Sequence, residues 1–356
     1  MKHVTLQVVQ HLRPGGIERL VLNLLQFASP AHDVYVVALE GDKTSAITAW
    51  PELRPFESKL IFLDKPAGRD LKTVLKLRKL IKQLNTSVIH SHHLGPLLYG
   101  RLATLGLPLT HIQTEHDSWH LQDPKQCLIT RLLLKGKKIK LVADAPRVAE
   151  QLERLGINTD HVIINGIDTQ HFSPGDQLLA RQQLKLPANK IIIGAAGRLV
   201  PEKGIDTLIQ ALSSLPEDHH LAIAGHGPEQ PYLLNVARQL GLTQRIHWLG
   251  HCAQMRNFYR SIDIFCMPSR QEGLPLALLE AQACGKNVIA TAVGGIPDLL
   301  CPYSGQLIEP DQPKALIQAI KIGLCNTTLS SDKNAQYIRK LADVRIMTAT
   351  YESLVY

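Results

Sequence analysis

Apolar runs of strand length alternate along this chain with segments whose apolar residues recur at helical spacing. In the first half the runs read VTLQVV, VYVVAL, KLIFL, SVIHS, LTHIQT and IKLVAD; in the second they read KIIIGAAG, HLAIAG, RIHWLG, IDIFCMP and NVIAT. Alternation of this kind predicts an α/β protein with parallel sheets covered by helices on both faces. At 356 residues the chain is longer than one core usually supports, so two domains are expected. The turn-rich segment NGIDTQHFSP, residues 165–174, marks the hinge. It separates an N-terminal Rossmann-like domain (1–166) from a C-terminal one (167–341). The closing segment 342–356 has helical spacing through Val344, Met347, Tyr351 and Leu354. Two such domains facing one another would leave a deep cleft between the carboxyl ends of their strands, where ligands bind in open α/β sheets.

The most informative stretch is PSRQEGLPLALLEAQACGKNVIATAVGGIPDL, which begins at Pro268. Glu272 and Glu280 flank a turn, Gly273-Leu274-Pro275, that opens an apolar helix at Leu276. Pro275 suits the first helical position, and the positive end of that helix favours a phosphate. Glu280 is the helix's only charge. If buried it needs a partner, and ribose hydroxyls or a neighbouring Arg would serve. A second signal, AAGRLVPEKGIDTLIQAL, places Arg198 and Lys203 after a strand, before a helix beginning near Gly204. Two cations there suit a departing diphosphate; a surface salt bridge from Lys203 to Glu202 or Asp206 is the plainer reading. In LAIAGHGPEQ, Gly225 and Gly227 begin a dinucleotide fingerprint, but Gln230 stands where its third glycine belongs. In the first half, Gly15 and Gly16 open a helix after the first strand, with Glu18 in its first turn. His90, His92 and His93 end one strand, and His116 and Asp117 end the next.

Together these segments resemble the retaining GT-B glycosyltransferases of family 4, also known as group 1, which carry an E-x7-E signature. The resemblance runs from Gly15 to Asp298 and is more specific in the C-terminal half. It implies a GT-B fold and transfer of a sugar from a nucleotide sugar. Arg198 and Lys203 match the G-R-x4-K-G pattern that contacts the donor phosphates. Glu272 would hold the sugar hydroxyls and Glu280 the ribose, with Gly225, Gly227, Gly273, Leu274, Pro275 and Leu276 lining the nucleotide. Gly15 and Gly16, within a GG-x-E pattern completed by Glu18, would lie near the diphosphate. His116 matches a histidine that approaches the transferred sugar. His92, His93 and Asp117 fall on the acceptor side, with His90 an alternative within that trio of histidines. Asp298 stands where glutamate is more usual. The implied mechanism is front-face attack with leaving-group stabilisation, and no covalent intermediate.

Charge and composition narrow the partners. The net charge is +8, from 39 basic and 31 acidic residues. Residues 1–166 carry 22 Lys/Arg against 15 Asp/Glu, leaving 17 against 16 for the remainder. Two basic stretches, Lys65 to Lys82 and Lys125 to Lys140, account for the asymmetry. The first sits on a helix whose expected apolar face is Leu71, Val74, Leu75, Leu77, Leu80, Ile81 and Leu84. Such stretches suit an anionic membrane surface as well as they suit an ordinary solvated face. Nucleic acid is not expected, because interleaved aromatics are missing. Six cysteines without a C-x-x-C pair read as reduced residues rather than a zinc site. No D-x-D occurs in the sequence, so no metal or other cofactor is expected on the diphosphate. No signal peptide or membrane span is expected either, which points to a cytoplasmic chain, peripheral on the inner membrane face, acting on a glycan or lipid-linked glycan such as lipopolysaccharide. A UDP-sugar epimerase and a non-catalytic nucleotide-sugar or glycan-binding protein remain as rivals. A nicotinamide dehydrogenase would leave Glu272 and Glu280 unexplained.

Overall fold

Each predicted strand forms in the computed structural model, which describes residues 2–117, 119–135, 139–325 and 331–355. The chain divides into two units, Met1–Gly166 with Val344–Tyr356, and Ile167–Asp343. In the first, strands β1 (His3–Val9), β2 (His32–Ala38), β3 (Leu60–Phe62), β4 (Val88–His92), β5 (Thr110–Glu115), β6 (Ile139–Ala143) and β7 (His161–Val162) form a sheet in the order β3-β2-β1-β4-β5-β6-β7. In the second, β8 (Ile191–Ala196), β9 (His219–Ala224), β10 (Ile246–Gly250), β11 (Ile264–Met267), β12 (Asn287–Thr291) and β13 (Gly305–Ile308) follow the order β10-β9-β8-β11-β12-β13. Every pairing in both sheets is parallel. Each unit is therefore Rossmann-like.

Two strands escaped the sequence pattern, β7 and β13. Both lie at sheet edges. The two residues of β7 are exposed, and none of the four in β13 is buried, so neither needs the apolar run that marks an interior strand.

Each strand order reverses once, between β1 and β4 in the first unit and between β8 and β11 in the second. Crossovers leave in opposite directions on either side of such a point. The loops at the carboxyl ends then diverge and leave a crevice.

In the first unit both faces of the sheet are covered. Leu6, Val8 and Ile89 pack with Leu77, Ile81, Tyr99 and Ala103 on one side. On the other, Val88, Ile112 and Val142 pack with Leu20, Leu24, Val344, Met347, Tyr351 and Leu354. The last four come from the C-terminal helix, Val344–Ser353, and the turn after it, so the chain ends on its own first domain (Tyr356 lies outside the described residues). The Tyr351 hydroxyl also meets Thr114 Oγ1 at 3.0 Å. In the second unit, helices cover β8, β9 and β11 through Leu208, Ile209, Leu212, Leu233, Leu316 and Ile320.

The basic helix forms at Leu71–Gln83, capped by Asp70, but its apolar face is narrower than expected. Leu77 and Ile81 are buried and Val74, Leu80 and Leu84 pack beside them, whereas Leu71 and Leu75 are 76% and 66% exposed. Three cations of the basic stretch Lys65 to Lys82 are engaged internally. Lys65 is buried against Glu40, Lys76 donates to the Leu63 carbonyl, and Arg78 donates to those of Ala103 and Leu105. Of the second basic stretch, residues 136–138 lie outside the described residues.

Because the C-terminal helix seals one face of the first sheet, Tyr351→Ala should cost about 3–5 kcal/mol in chemical denaturation, as expected for emptying a buried aromatic site. A loss below about 1 kcal/mol, the size of an ordinary surface substitution, would mean the helix is not docked there.

Candidate functional site

In the second unit the charged residues collect at the strand-order reversal. β8 ends at Ala196, and Arg198 follows after Gly197, exposed and without a side-chain partner among the described residues. A short turn, Pro201–Lys203, then leads into the helix Ile205–Leu212. Lys203 does not pair with Glu202 or Asp206. Its Nζ donates to Glu272 Oε1 at 2.6 Å, from the loop after β11 across the reversal. Ser269 Oγ donates to the same oxygen at 2.7 Å, and Glu272 is buried. Asp206 is held instead by Arg270, which also bridges to Asp311 at 2.8 Å. The Lys203 stem passes beside Gly197, the residue before Arg198.

The glycines here serve contacts between loops. Gly225 has φ +150, and a Cβ on it would lie 1.8 Å from the Gly197 carbonyl oxygen. Gly227 likewise abuts the backbone of Leu199. Their small size is required by the loop that carries Arg198. Gly204 has φ +60, and a Cβ there would lie 2.1 Å from the Pro268 carbonyl oxygen, where no side chain fits. This contact brings the Lys203 turn against the start of the Glu272 loop.

The loop continues through Gly273 and Leu274, half-buried, to a buried Pro275, and Gly273 accepts from the Gly295 N–H at 2.9 Å. Pro275 is the cap residue, one position before the helix Leu276–Ala283, and not its first residue. Glu280 is half-buried, not buried, and Tyr259 already donates to it at 2.7 Å. The argument that burial alone would oblige it to find ribose hydroxyls therefore falls. Tyr259 is fully buried, and burial together with the Glu280 carboxylate pushes its phenol well above its usual pKa.

In the first unit the corresponding reversal lies beside the first glycine loop. Gly15 caps the helix Gly16–Gln26. The Glu18 carboxylate folds back over Gly15 and lies 3.2 Å from His11 Nδ1. Its hydrogen bond raises the His11 pKa above the ordinary value.

Strand alternation sorts the histidines. Residues at i and i+2 share a sheet face, so Val88, His90 and His92 line up beside Ile112, Thr114 and His116. The face is apolar at the amino end and polar at the carboxyl end. His90 belongs to the interior: its Nε2 meets Thr114 Oγ1 at 2.7 Å and its ring packs on Tyr351. His92 and His116 form a chain, Gln7 Oε1 to His92 Nε2 at 2.9 Å, His92 Nδ1 to His116 Nε2 at 3.0 Å, and His116 Nδ1 to Asp144 Oδ2 at 3.0 Å. Asn165 donates to the same Asp144 oxygen at 3.0 Å. Burial raises the Asp144 carboxyl above its usual pKa and drives that of His92 well below its own.

Gln7, Asp144 and Asn165 were missed in the sequence. The available signal was a polar residue closing an apolar strand run, as in IKLVAD.

His93, by contrast, turns out of the strand with φ +68, and its ring lies beside those of His116 and His120. Asp117 is half-buried. Burial pushes its carboxyl up, but the hydrogen bond from His120 and the nearby His93 outweigh this and leave it below the ordinary value.

The chain is similar to known proteins in sequence and in fold. Residues 176–353 match the family described as Glycosyl transferases group 1, and residues 14–171 match Glycosyltransferase Family 4. The chain is 30% identical over 254 residues to a D-inositol 3-phosphate glycosyltransferase of Mycolicibacterium gilvum, covering 64% of this chain and 56% of that protein. It thus spans little more than half the length of this curated relative. Among solved structures, Anabaena HepE in complex with UDP superposes with a TM-score of 0.86 at 22% identity over 100% of this chain and 99% of that one. WaaG, a glycosyltransferase involved in lipopolysaccharide biosynthesis, gives 0.71 at 18% identity over 99% of each chain. The fold is GT-B, and the chain belongs to the group 1 glycosyl transferases.

Proposed function

We propose that the chain transfers a hexose from a nucleoside-diphosphate sugar, a UDP-sugar before others, to a hydroxyl of a glycan or lipid-linked glycan, with retention of anomeric configuration. The observation that carries this reading is the grouping of Arg198, Lys203 and Glu272 at the strand-order reversal of the second unit. Arg198 offers an exposed guanidinium, and the Lys203 ammonium is held by Glu272 on the same loop system. Together they would neutralise charge on a departing diphosphate, where fixed donors contribute most. Glu272, held by Lys203 and Ser269, is placed to accept sugar hydroxyls rather than to attack carbon. Catalysis then rests on orientation and leaving-group stabilisation. Donor binding needs no divalent ion, since two cations replace it. HepE, solved with UDP, supports a uridine nucleotide as the first to test.

The first unit would supply the acceptor side. The Gln7–His92–His116–Asp144 chain fixes the His116 ring, and through it the group that faces the acceptor hydroxyl. The lipopolysaccharide enzyme of like fold supports a cell-envelope acceptor. We place the chain in the cytoplasm, peripheral on the inner membrane face. No helix among the described residues is long and apolar enough to cross a membrane. Leu71 and Leu75, with the exposed Arg69, Lys72, Lys79 and Lys82, would make the contact with an anionic surface.

Three measurements test this reading. Acceptor-dependent release of UDP from UDP-glucose, UDP-galactose or UDP-N-acetylglucosamine, assayed with cell-envelope glycans, should fall by about 10²–10³ in Arg198→Ala and Glu272→Ala, the size seen on removing one transition-state donor. Release that needs no acceptor, or that survives both changes, would sink the transferase reading. Asp144→Asn should lower kcat by ~10-fold or more while leaving UDP affinity unchanged, because misplacing an oriented group costs rate; an equal loss of UDP binding would show that Asp144 merely supports the fold. Co-sedimentation with vesicles should rise with anionic lipid, weaken with salt, and drop in a Lys72→Glu, Lys79→Glu double variant. Indifference to both lipid charge and salt would remove the membrane from the account.

A further inference from the structure

A second cluster, in the first unit, shares no residue with the donor group of Arg198, Lys203 and Glu272. Glu115, the last residue of β5, lies on the sheet face opposite His116 and is fully buried. Gln113 Nε2 donates to its Oε1 at 2.9 Å. Its other oxygen, Oε2, is buried and has no hydrogen-bond partner among the described residues, and the same is true of His120 Nε2. These two atoms stand 3.6 Å apart. His93, Glu115 and His120 each offer one ligand atom, and the three atoms lie within 4.8 Å of one another.

The separation is informative. A charge-assisted hydrogen bond between carboxylate and imidazolium would close to roughly 2.7–2.9 Å. At 3.6 Å the contact is too long for that. Two ligands bonded to one zinc ion at about 2.0–2.2 Å in tetrahedral geometry stand about 3.3–3.5 Å apart, close to the distance found here. The outer shell is also in place. Asp117 Oδ1 lies 3.5 Å from His120 Nδ1, the nitrogen a metal would leave free, and Gln113 holds the second Glu115 oxygen. A carboxylate behind a ligating histidine, and a hydrogen bond to the ligating carboxylate, are what orient such donors.

We infer that His93, Glu115 and His120 form a binding site for a divalent transition-metal ion of the zinc class. Two imidazoles and one carboxylate, with a fourth position open, suit that class better than magnesium or calcium, which prefer all-oxygen shells. His120 is partly exposed, with 18% of its side-chain surface accessible, so an ion can enter from solvent. Bound there, the ion would tie His120 to the strand ends of β4 and β5. His93 adjoins His92, and Glu115 adjoins His116. The same tie would thus hold both chain-forming histidines in register.

The site differs from the donor centre in residues and in unit, so its test is independent of sugar transfer. The full-length protein is dialysed against chelator and titrated with Zn²⁺ alone in competition with a chromogenic indicator. One ion per chain is expected at submicromolar affinity, with a rise in melting midpoint on adding zinc and none with magnesium. Glu115→Gln and His120→Ala should each weaken binding by more than the roughly 10–100-fold typical of losing an outer partner. His247→Ala, in the separate His220–His247 contact of the second unit, should leave the stoichiometry unchanged. As a check that needs no variant, Co²⁺ added to the chelator-treated wild-type protein should give the visible spectrum of a four- or five-coordinate ion. Absence of binding at micromolar zinc, retention of binding in both ligand variants, or a cobalt spectrum like that of the aquo ion would overturn the assignment.

Discussion

In the second unit, the loops after β8, β9 and β11 meet backbone against backbone, and the charged groups depend on that contact. Gly225 and Gly227 let the β9 loop lie against residues 197–199, while Gly204 presses on the Pro268 carbonyl. A side chain at Gly225 or Gly204 would have to push neighbouring backbone, not a flexible tip, out of the way. Backbone contact leaves little freedom, and the Lys203–Glu272 pair inherits that rigidity at 2.6 Å. Arg198, on the loop after β8, has no side-chain partner among the described residues, so the second unit holds one exposed cation ready and a second one shared.

The first unit reaches order by another route. Its polar groups form ladders on the faces of an otherwise apolar sheet, and they concentrate at the carboxyl end. On one face Gln7, His92, His116, Asp144 and Asn165 satisfy one another. On the other, Ser91 meets His111 and Gln113, and Gln113 meets Glu115. Buried polar atoms are costly unless partnered, so a ladder of this kind fixes side-chain positions more firmly than an apolar contact would. The ladder ends unresolved at Glu115 Oε2 and His120 Nε2. Asp144 Oδ1, Asn165 Oδ1 and His111 Nδ1 are likewise buried without a partner among the described residues, and what sets Glu115 and His120 apart is that two such atoms face one another at 3.6 Å.

Much of this was legible in the chain itself. The alternation of strands and helices, the turn at 165–174, and the placement of Arg198, Lys203 and Glu272 at strand ends could all be read from local pattern, because period and turn chemistry are local properties. β7 and β13 were not legible, since an edge strand needs no apolar run. Leu71 and Leu75 misled, because helical spacing says which residues share a stripe but not how wide a stripe the neighbouring sheet covers. Glu280 misled for a related reason. An apolar helix suggested full burial, yet only the packed unit shows that Tyr259 reaches it and that the helix leaves it half-accessible.

The sequence by itself determined the class of fold, the family and the placement of Arg198, Lys203, Glu272 and His116 near strand ends. Spacing along a strand or across a turn is fixed by covalent geometry, so motifs confined to one loop keep their meaning in any context. Which residues become partners was decided by tertiary structure alone. Lys203 and Glu272 are 69 positions apart, and His116 and Asp144 are 28 apart. They meet only because parallel crossovers return the chain to the same edge of the sheet each time. Sequence separation carries no information about that return, and the chemistry of both units is built from it.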